Sequence, residues 1–287
     1  MTSSTGLLTQ RIQPHLPADA AGGAAIAAAL VAVPVKDVAA PWLVAVVGIV
    51  AAVVVVSPVV RRSPWTWIGL GALHAVFVVR FWYRIDNHDF LLLWTLLALA
   101  VAFAHRNPEE AFATQARWLV GLAFALATGW KLLSGEFLDG SFFVHAQLVD
   151  PRFARVAELI GGLDPETAIA TREAIAASVR EPIAAAVSVP ADQVRTLAII
   201  FTAWGVALEG AIAVAMLGPD RPRWRAARSG LLLTFMATTY LVVPVVRFGL
   251  LLAALGIGQA RGRWRTAFWW SIPALLAWTP IWQALQG

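Results

Sequence analysis

Apolar residues run along this chain in stretches too long for the core helices of an ordinary soluble domain. A hydrocarbon core of about 30 Å needs about 20 apolar residues in one helix. Stretches near that length lie at 40–60, 65–83, 116–134, 196–217, 229–257 and 266–285, with shorter or weaker ones at 20–35 and 90–104. The pattern predicts an all-α integral membrane protein, a bundle of about eight transmembrane helices. Residues 1–287 are read as a single polytopic membrane domain. The 229–257 stretch would run about 43 Å as one helix, and it holds Pro244 and Gly249. A kinked or tilted helix, or a broken pair of half-helices, is expected there.

One long polar segment, about 135–195, interrupts the pattern. Phe153, Val156, Leu159 and Ile160 fall on one side of a short helix, and Asp164-Pro165-Glu166 reads as a capped helix start that carries on to about Arg180. Short amphipathic helices capping one mouth of the bundle are expected, against the alternative of a mobile loop.

Composition strengthens the membrane reading. Hydrophobic residues make up 59% of the chain and charged ones only 14%, with a mean hydropathy of +0.71. Soluble domains carry roughly 25% charged residues, so these charges are too few to cover a water-facing surface. The fourteen Trp, many near predicted span ends, fit interfacial belts. The absence of Cys removes disulfides, thiolate nucleophiles and Cys metal sites. The five His show no metal-ligand spacing, so no metal is expected, and no signal-peptide core is read ahead of the first apolar stretch. The formal charge of +5 reads as loop asymmetry, not as nucleic-acid binding. Arg61 and Arg62, Arg106 and Arg117, and Arg221, Arg223, Arg225 and Arg228 fall on one side of an eight-span scheme. That side is taken as cytoplasmic, with both termini on it, in the cell membrane. Arg261, Arg263 and Arg265 fall on the other side unless the chain re-enters within 229–257.

The orientation gathers several polar residues in the outer half of the bundle. Lys131, Arg80 and Arg247 each lie about 22–27 Å up their spans, near the turn holding Arg84, Asp86, Asn87, His88 and Asp89. Charges within spans are costly and commonly face a bundle interior. Stepping back along the helix, Lys131 shares a face with Thr128, Ala127, Phe124 and Ala123. It is either a pocket lysine, whose burial would favour the neutral amine and so a general base, or a snorkelling anchor. His88 is open to a capping or a chemical role. Glu209 is a lone acid within a span, either functional or a packing residue, with the in-membrane cations as candidate partners. His74 reads as packing.

Two segments carry a family resemblance. Arg84-Ile-Asp-Asn-His-Asp-Phe-Leu-Leu-Leu resembles the Asn-His element of the vitamin K-dependent γ-carboxylase family and its bacterial relatives, the horizontally transferred transmembrane (HTTM) domain proteins. Gln115, Trp118, Ala127-Thr-Gly-Trp-Lys131-Leu and Gly135-Glu-Phe-Leu-Asp-Gly140 are similar to that family's lysine element. The resemblance covers roughly 65–145, more weakly 196–257. It implies Lys131 as the base toward a vitamin K- or menaquinone-type hydroquinone and His88 in a carboxylation step. Trp130 stands where the carboxylase has a second lysine, and no segment matching its propeptide-binding domain is read. A small or lipidic substrate is therefore expected in place of a protein one.

The expectation is an HTTM/γ-carboxylase-like membrane protein whose outward-facing polar pocket binds a quinone-like or lipidic molecule, with hydroquinone-linked oxidation or carboxylation-type chemistry. Lys131 and His88 are the catalytic candidates. Asn87, Arg80, Arg84, Asp89, Thr128, Glu209 and Arg247 are the pocket candidates. Membrane lipid is the expected partner. The alternative is a transporter or a non-catalytic membrane interaction protein.

Overall fold

The computed structural model describes residues 20–32, 41–83, 85–180, 192–243 and 245–286, and among them helices form without any strand. The first half holds α1 (Ala20–Ala32), α2 (Pro41–Val56), α3 (Pro58–Arg62), α4 (Pro64–Arg80), α5 (Asn87–Ala104) and α6 (Pro108–Leu133). Four of these six open on proline, whose missing N–H falls where a helix has no acceptor to offer. Side chains satisfy some of the remaining free donors. Ser57 accepts from Val60 N–H at 3.4 Å, and Asn107 accepts from Glu110 N–H at 3.4 Å.

Short helices follow: α7 (Gly135–Leu138), α8 (Ser141–Val149), α9 (Ala154–Leu159) and α10 (Pro165–Arg180). The last three share a small core of Leu148, Ala157, Leu163 and Ala168 with Val194 from the helix that follows. A second cluster, Val156 with Leu197 and Trp282, fastens α9 to the helices after it. The expected helices are therefore present over most of 135–180, while 181–191 lies outside the described residues. The expected apolar side is only half right. Val156 is buried, but Leu159 and Ile160 are exposed. The helix stops at Leu159, and Gly162 takes a left-handed φ of 63°, so the chain turns away before the next residues reach the core.

The chain closes with α11 (Asp192–Leu217), α12 (Pro222–Val242), α13 (Val246–Gln259) and α14 (Arg263–Gln286). The long 229–257 stretch is thus two helices. Val243, the residue before Pro244, is extended at φ −136° and ψ 96°, the region to which a following proline restricts its neighbour. Pro244 itself lies outside the described residues.

The bundle is built around α13. Every residue from Gly249 to Gly258 is buried, and α1, α6, α12 and α14 all pack on it. Its glycines let aromatic rings come close. A Cβ on Gly258 would lie 2.3 Å from Phe112 of α6, and one on Gly256 would lie 2.4 Å from Phe268 of α14. Antiparallel to α6 runs α11. Gly121 meets Leu217 and Thr128 meets Gly210, so the register is held across at least two turns.

The helix directions bring the arginines of the 61–62, 106–117, 221–228 and 261–265 segments to one end. Trp67 stacks on Phe103 at 6.3 Å and donates to Arg61 O at 2.8 Å, which joins the Arg61 turn to the α5–α6 turn. Glu109 accepts from Ala21 N–H at 3.0 Å and lies 3.9 Å from Arg265. Arg117, Arg225, Arg228 and Arg261 line one cavity. The break at Val243 makes α12 and α13 a hairpin, which returns the chain to this basic end. The conflict that the 261–265 arginines raised in the sequence disappears. The same hairpin revises a second expectation. After it, α14 runs to the opposite end, where Trp282 meets Val156. The described end of α14 therefore sits beside the 135–180 helices and not with the arginines.

Two described helices, Asn87–Ala104 and Val194–Leu217, are long and apolar enough to cross a membrane, and Ala45–Val56 and Val246–Gln259 are shorter apolar ones.

The close approach at α13 predicts that Gly258→Ala lowers the thermal midpoint in detergent. A loss of about 1–3 kcal/mol is expected, since Phe112 is fully buried and cannot retreat freely. Gly69→Ala, with open space around its position, should be neutral or slightly stabilising. Equal midpoints for the two variants would refute the packing.

Candidate functional site

The candidate residues divide between two helix interfaces. The first is formed by α6 and α11. Its antiparallel register sets the end of α6 beside the middle of α11, and there Lys131 Nζ donates to Glu209 Oε1 at 2.5 Å. Both side chains are largely covered, at 18% and 10% exposure. The Phe137 ring of α7 lies 5.5 Å from Nζ and stacks on Phe142 at 4.1 Å. Phe143, Phe153 and Phe201 extend this aromatic cover across α8, the 151–153 turn and α11.

Polar capacity at this interface is left over. Glu209 Oε2 is buried and has no hydrogen-bond partner. Thr128 Oγ1, one turn before Lys131, is likewise buried and unpaired, as is Thr202 Oγ1, seven residues before Glu209 on the same face of α11. A buried polar atom without a partner costs about 1–3 kcal/mol. A buried carboxylate oxygen, a hydroxyl and an ammonium close together can hold a ligand group that donates to one and accepts from another.

The second interface joins α4, α5, α13 and the end of α1. Asp89, in the first turn of α5, is buried there. Its carboxylate accepts from Asp86 N–H at 3.3 Å and lies 3.4 Å from Arg247 and 3.9 Å from His74. His74 Nε2 also contacts Asp89 O at 3.0 Å, and Arg247 donates to Val31 O at 3.4 Å. His88 lies 3.7 Å from Asp86 and stacks on Phe248 at 5.9 Å. From Phe248 a row of rings runs through Phe235, at 6.4 Å, to Phe124, 4.9 Å further on. Phe124 sits two turns before Lys131 on α6, so this row of rings leads from the His88 turn to the helix that carries Lys131.

Lys131 is therefore turned toward Glu209, and His88 toward Asp86 and Phe248; the two share no recorded partner among the described residues. Arg80 is exposed against the neighbouring Phe81 ring, and Asn87 is exposed at the start of α5. Arg84 lies outside the described residues. Sequence reasoning offered the in-membrane cations as partners of Glu209 without choosing Lys131 among them, and it set His74 aside as packing although His74 touches Asp89. No spacing within one helix marks either contact, because each forms between two helices: α6 and α11, 78 residues apart, and the consecutive α4 and α5. Among the described residues no group of three or more His, Asp or Glu is arranged to hold a metal.

A buried ion pair that loses one partner leaves an uncompensated charge, at a cost of about 3–5 kcal/mol. Lys131→Met and Glu209→Leu are each expected to lower stability by an amount of that order. The double variant Lys131→Met/Glu209→Leu should recover most of the loss in a thermal-unfolding cycle. Additive losses would show that the two side chains do not depend on each other. Comparison with protein-family models, with curated proteins and with solved structures finds no match, so the likeness to the γ-carboxylase and HTTM proteins stands on the residues quoted for it alone.

Proposed function

We propose that this chain is a multi-spanning helical membrane protein whose Lys131–Glu209 site binds the polar head of a quinone-like or lipidic molecule. The observation that carries the reading is the buried ion pair with unused polar atoms, Glu209 Oε2 and Thr128 Oγ1, in an otherwise apolar helix interface. A hydroquinone fits this set: one hydroxyl donates to Glu209 and the oxygen accepts from Thr128 or Lys131. Such a molecule, when bound, supplies the redox chemistry. The chain's own residues orient it, exclude water with the Phe137 cluster, and exchange a proton at Glu209 Oε2. Carboxylation is left out of the proposal, because His88 does not share contacts with Lys131.

The membrane part rests on the outward faces of the helices. Leu126 is 74% exposed and Val76 67% exposed, both mid-helix, where a water-soluble bundle presents polar side chains. Trp118, Leu122, Trp130 and Leu133 continue the exposed apolar face of α6. Arg61, Arg62, Arg106, Arg117, Arg221, Arg223, Arg225, Arg228, Arg261, Arg263 and Arg265 outnumber the arginines of the other end, such as Arg80, Arg152, Arg155, Arg172 and Arg247, and the excess assigns the first end to the cytoplasm and the 135–180 helices to the outside. Counting α12 and α13 separately, the N-terminal end of α1 is then cytoplasmic and the end of α14 external.

Orientation is testable directly, since the sequence has no cysteine to interfere. A membrane-impermeant thiol reagent should label Ala170→Cys in whole cells and miss Ala226→Cys, both at exposed positions; the opposite pattern would reverse the sides. Binding is tested by mass spectrometry of molecules retained through purification in mild detergent. The wild-type chain should retain a quinone or a single lipid class, and Glu209→Gln with Thr128→Ala should retain about tenfold less, the effect of losing one charged hydrogen bond. Equal retention by wild type and variant would overturn the assignment of the site.

A further inference from the structure

At the basic end, Arg117 of α6, Arg225 and Arg228 of α12, Gln259 of α13, Arg261 and Trp264 line a cavity of about 160 Å³. That is of the order of ten times the least volume that admits one water. We propose that this cavity binds a phosphate-bearing anion, either the headgroup of an anionic phospholipid or a soluble phosphate.

Charge is the first reason. Four guanidinium groups face two carboxylates, Asp220 and Glu110. Asp220 is already taken: Arg225 donates to both of its oxygens at 2.9 Å, and Arg228 donates to it at 3.0 Å. Hydrogen bonds from Arg225, then from Arg228, hold the Asp220 carboxyl down at about 2, so it stays ionised and engaged at neutral pH. Glu110 accepts from Asn107 at its own helix start, at 3.1 Å. Among the described residues Arg117 and Arg261 have no carboxylate partner.

Unused donors are the second and independent reason. Arg117 Nε and Gln259 Nε2 are both buried without a hydrogen-bond partner. An arginine has only donors, so the group missing beside Arg117 Nε is an acceptor. Two orphan donors on different helices, lining the same cavity, call for an anion with several acceptor oxygens. A phosphate offers three or four and pairs well with guanidinium forks. A single carboxylate offers two and would leave Arg261 without a partner.

The wall is also built in advance. Arg228 is 3% exposed and is pinned by Ala215 O at 2.8 Å and by Gly218 O and Pro219 O at 2.9 Å. Its charge is fixed in the wall before any ligand arrives. Trp264 and Arg261 close the side where α13 turns into α14, a turn that Gly262 makes possible with φ 54°.

The experiment compares the full-length chain in phosphatidylcholine nanodiscs with the same discs doped with phosphatidylglycerol, and with inorganic phosphate added to the undoped discs. Native mass spectrometry and the thermal midpoint are the readouts. Retained phosphatidylglycerol that added phosphate does not displace identifies the lipid as the source. A midpoint raised by inorganic phosphate without anionic lipid identifies soluble phosphate. Either response should fall about tenfold in Arg117→Gln and in Arg261→Gln, one charged hydrogen bond being lost in each. Arg261 is exposed, so its variant keeps the test valid if Arg117→Gln does not fold. The proposal fails if neither ligand is bound above the level of undoped discs, or if binding is the same in the Arg261→Gln chain. Gly69→Ala, whose position opens on empty space away from the cavity, should leave this response unchanged.

Discussion

The architecture depends on how closely other helices can approach α13. On the proposed membrane reading the solvent around the helices is itself apolar, so hydrophobic transfer offers little and contact area and fit hold the elements together. Gly256 and Gly258 supply that fit by letting the Phe268 and Phe112 rings lie directly on the α13 backbone. Tyr240 does the same at Gly249, near the hairpin break. Three neighbouring helices thereby take their places from one short, fully buried helix. The positions of α11 on α6, and of the 135–180 helices on α11, follow from these.

Polar groups inside such a bundle have few alternatives to one another. Lys131 and Glu209 come from helices far apart in the chain, and each is the other's charge partner. Asp89 gathers Arg247, His74 and a backbone donor around one carboxylate. The rings of Phe248, Phe235 and Phe124 run from the His88 turn to the face of α6 that carries Lys131. On the proposed reading, the site at Glu209 draws on the hydroxyl of Thr128 and the Phe137 cluster.

Charge at the ends follows a different rule from charge in the middle. The hairpin at Val243 returns α13 to the end where α12 began, and so brings Arg261 beside Arg225 and Arg228. An assembly of four guanidinium groups is not a stable packing unit by itself. Asp220 and three backbone carbonyls satisfy Arg228, while Arg117 Nε and Gln259 Nε2 are left with unused donors. The basic end is thus partly neutralised by the protein itself and partly open to an outside anion.

The sequence by itself determined that the chain is helical and roughly where most helices lie. Those facts are local: runs of apolar residues and an Asp164 cap are read along one segment at a time, although α6 and α12 begin at Pro108 and Pro222, seven or eight residues before their apolar runs. It also made Lys131 and Glu209 conspicuous, because a charge in an apolar run stands out without any structure. Partners were not legible. Lys131 with Glu209, His74 with Asp89, and Arg117 with Arg228 and Arg261 are juxtapositions between segments of no common spacing. Nor could hydropathy tell a kink in 229–257 from a hairpin, since both bury the same residues; which of them forms depends on whether α13 finds a glycine-lined place against α6 and α14. That choice sets the end at which Arg261 and the end of α14 emerge. Only tertiary packing decided it, because the contacts that favour the hairpin belong to helices outside the stretch itself.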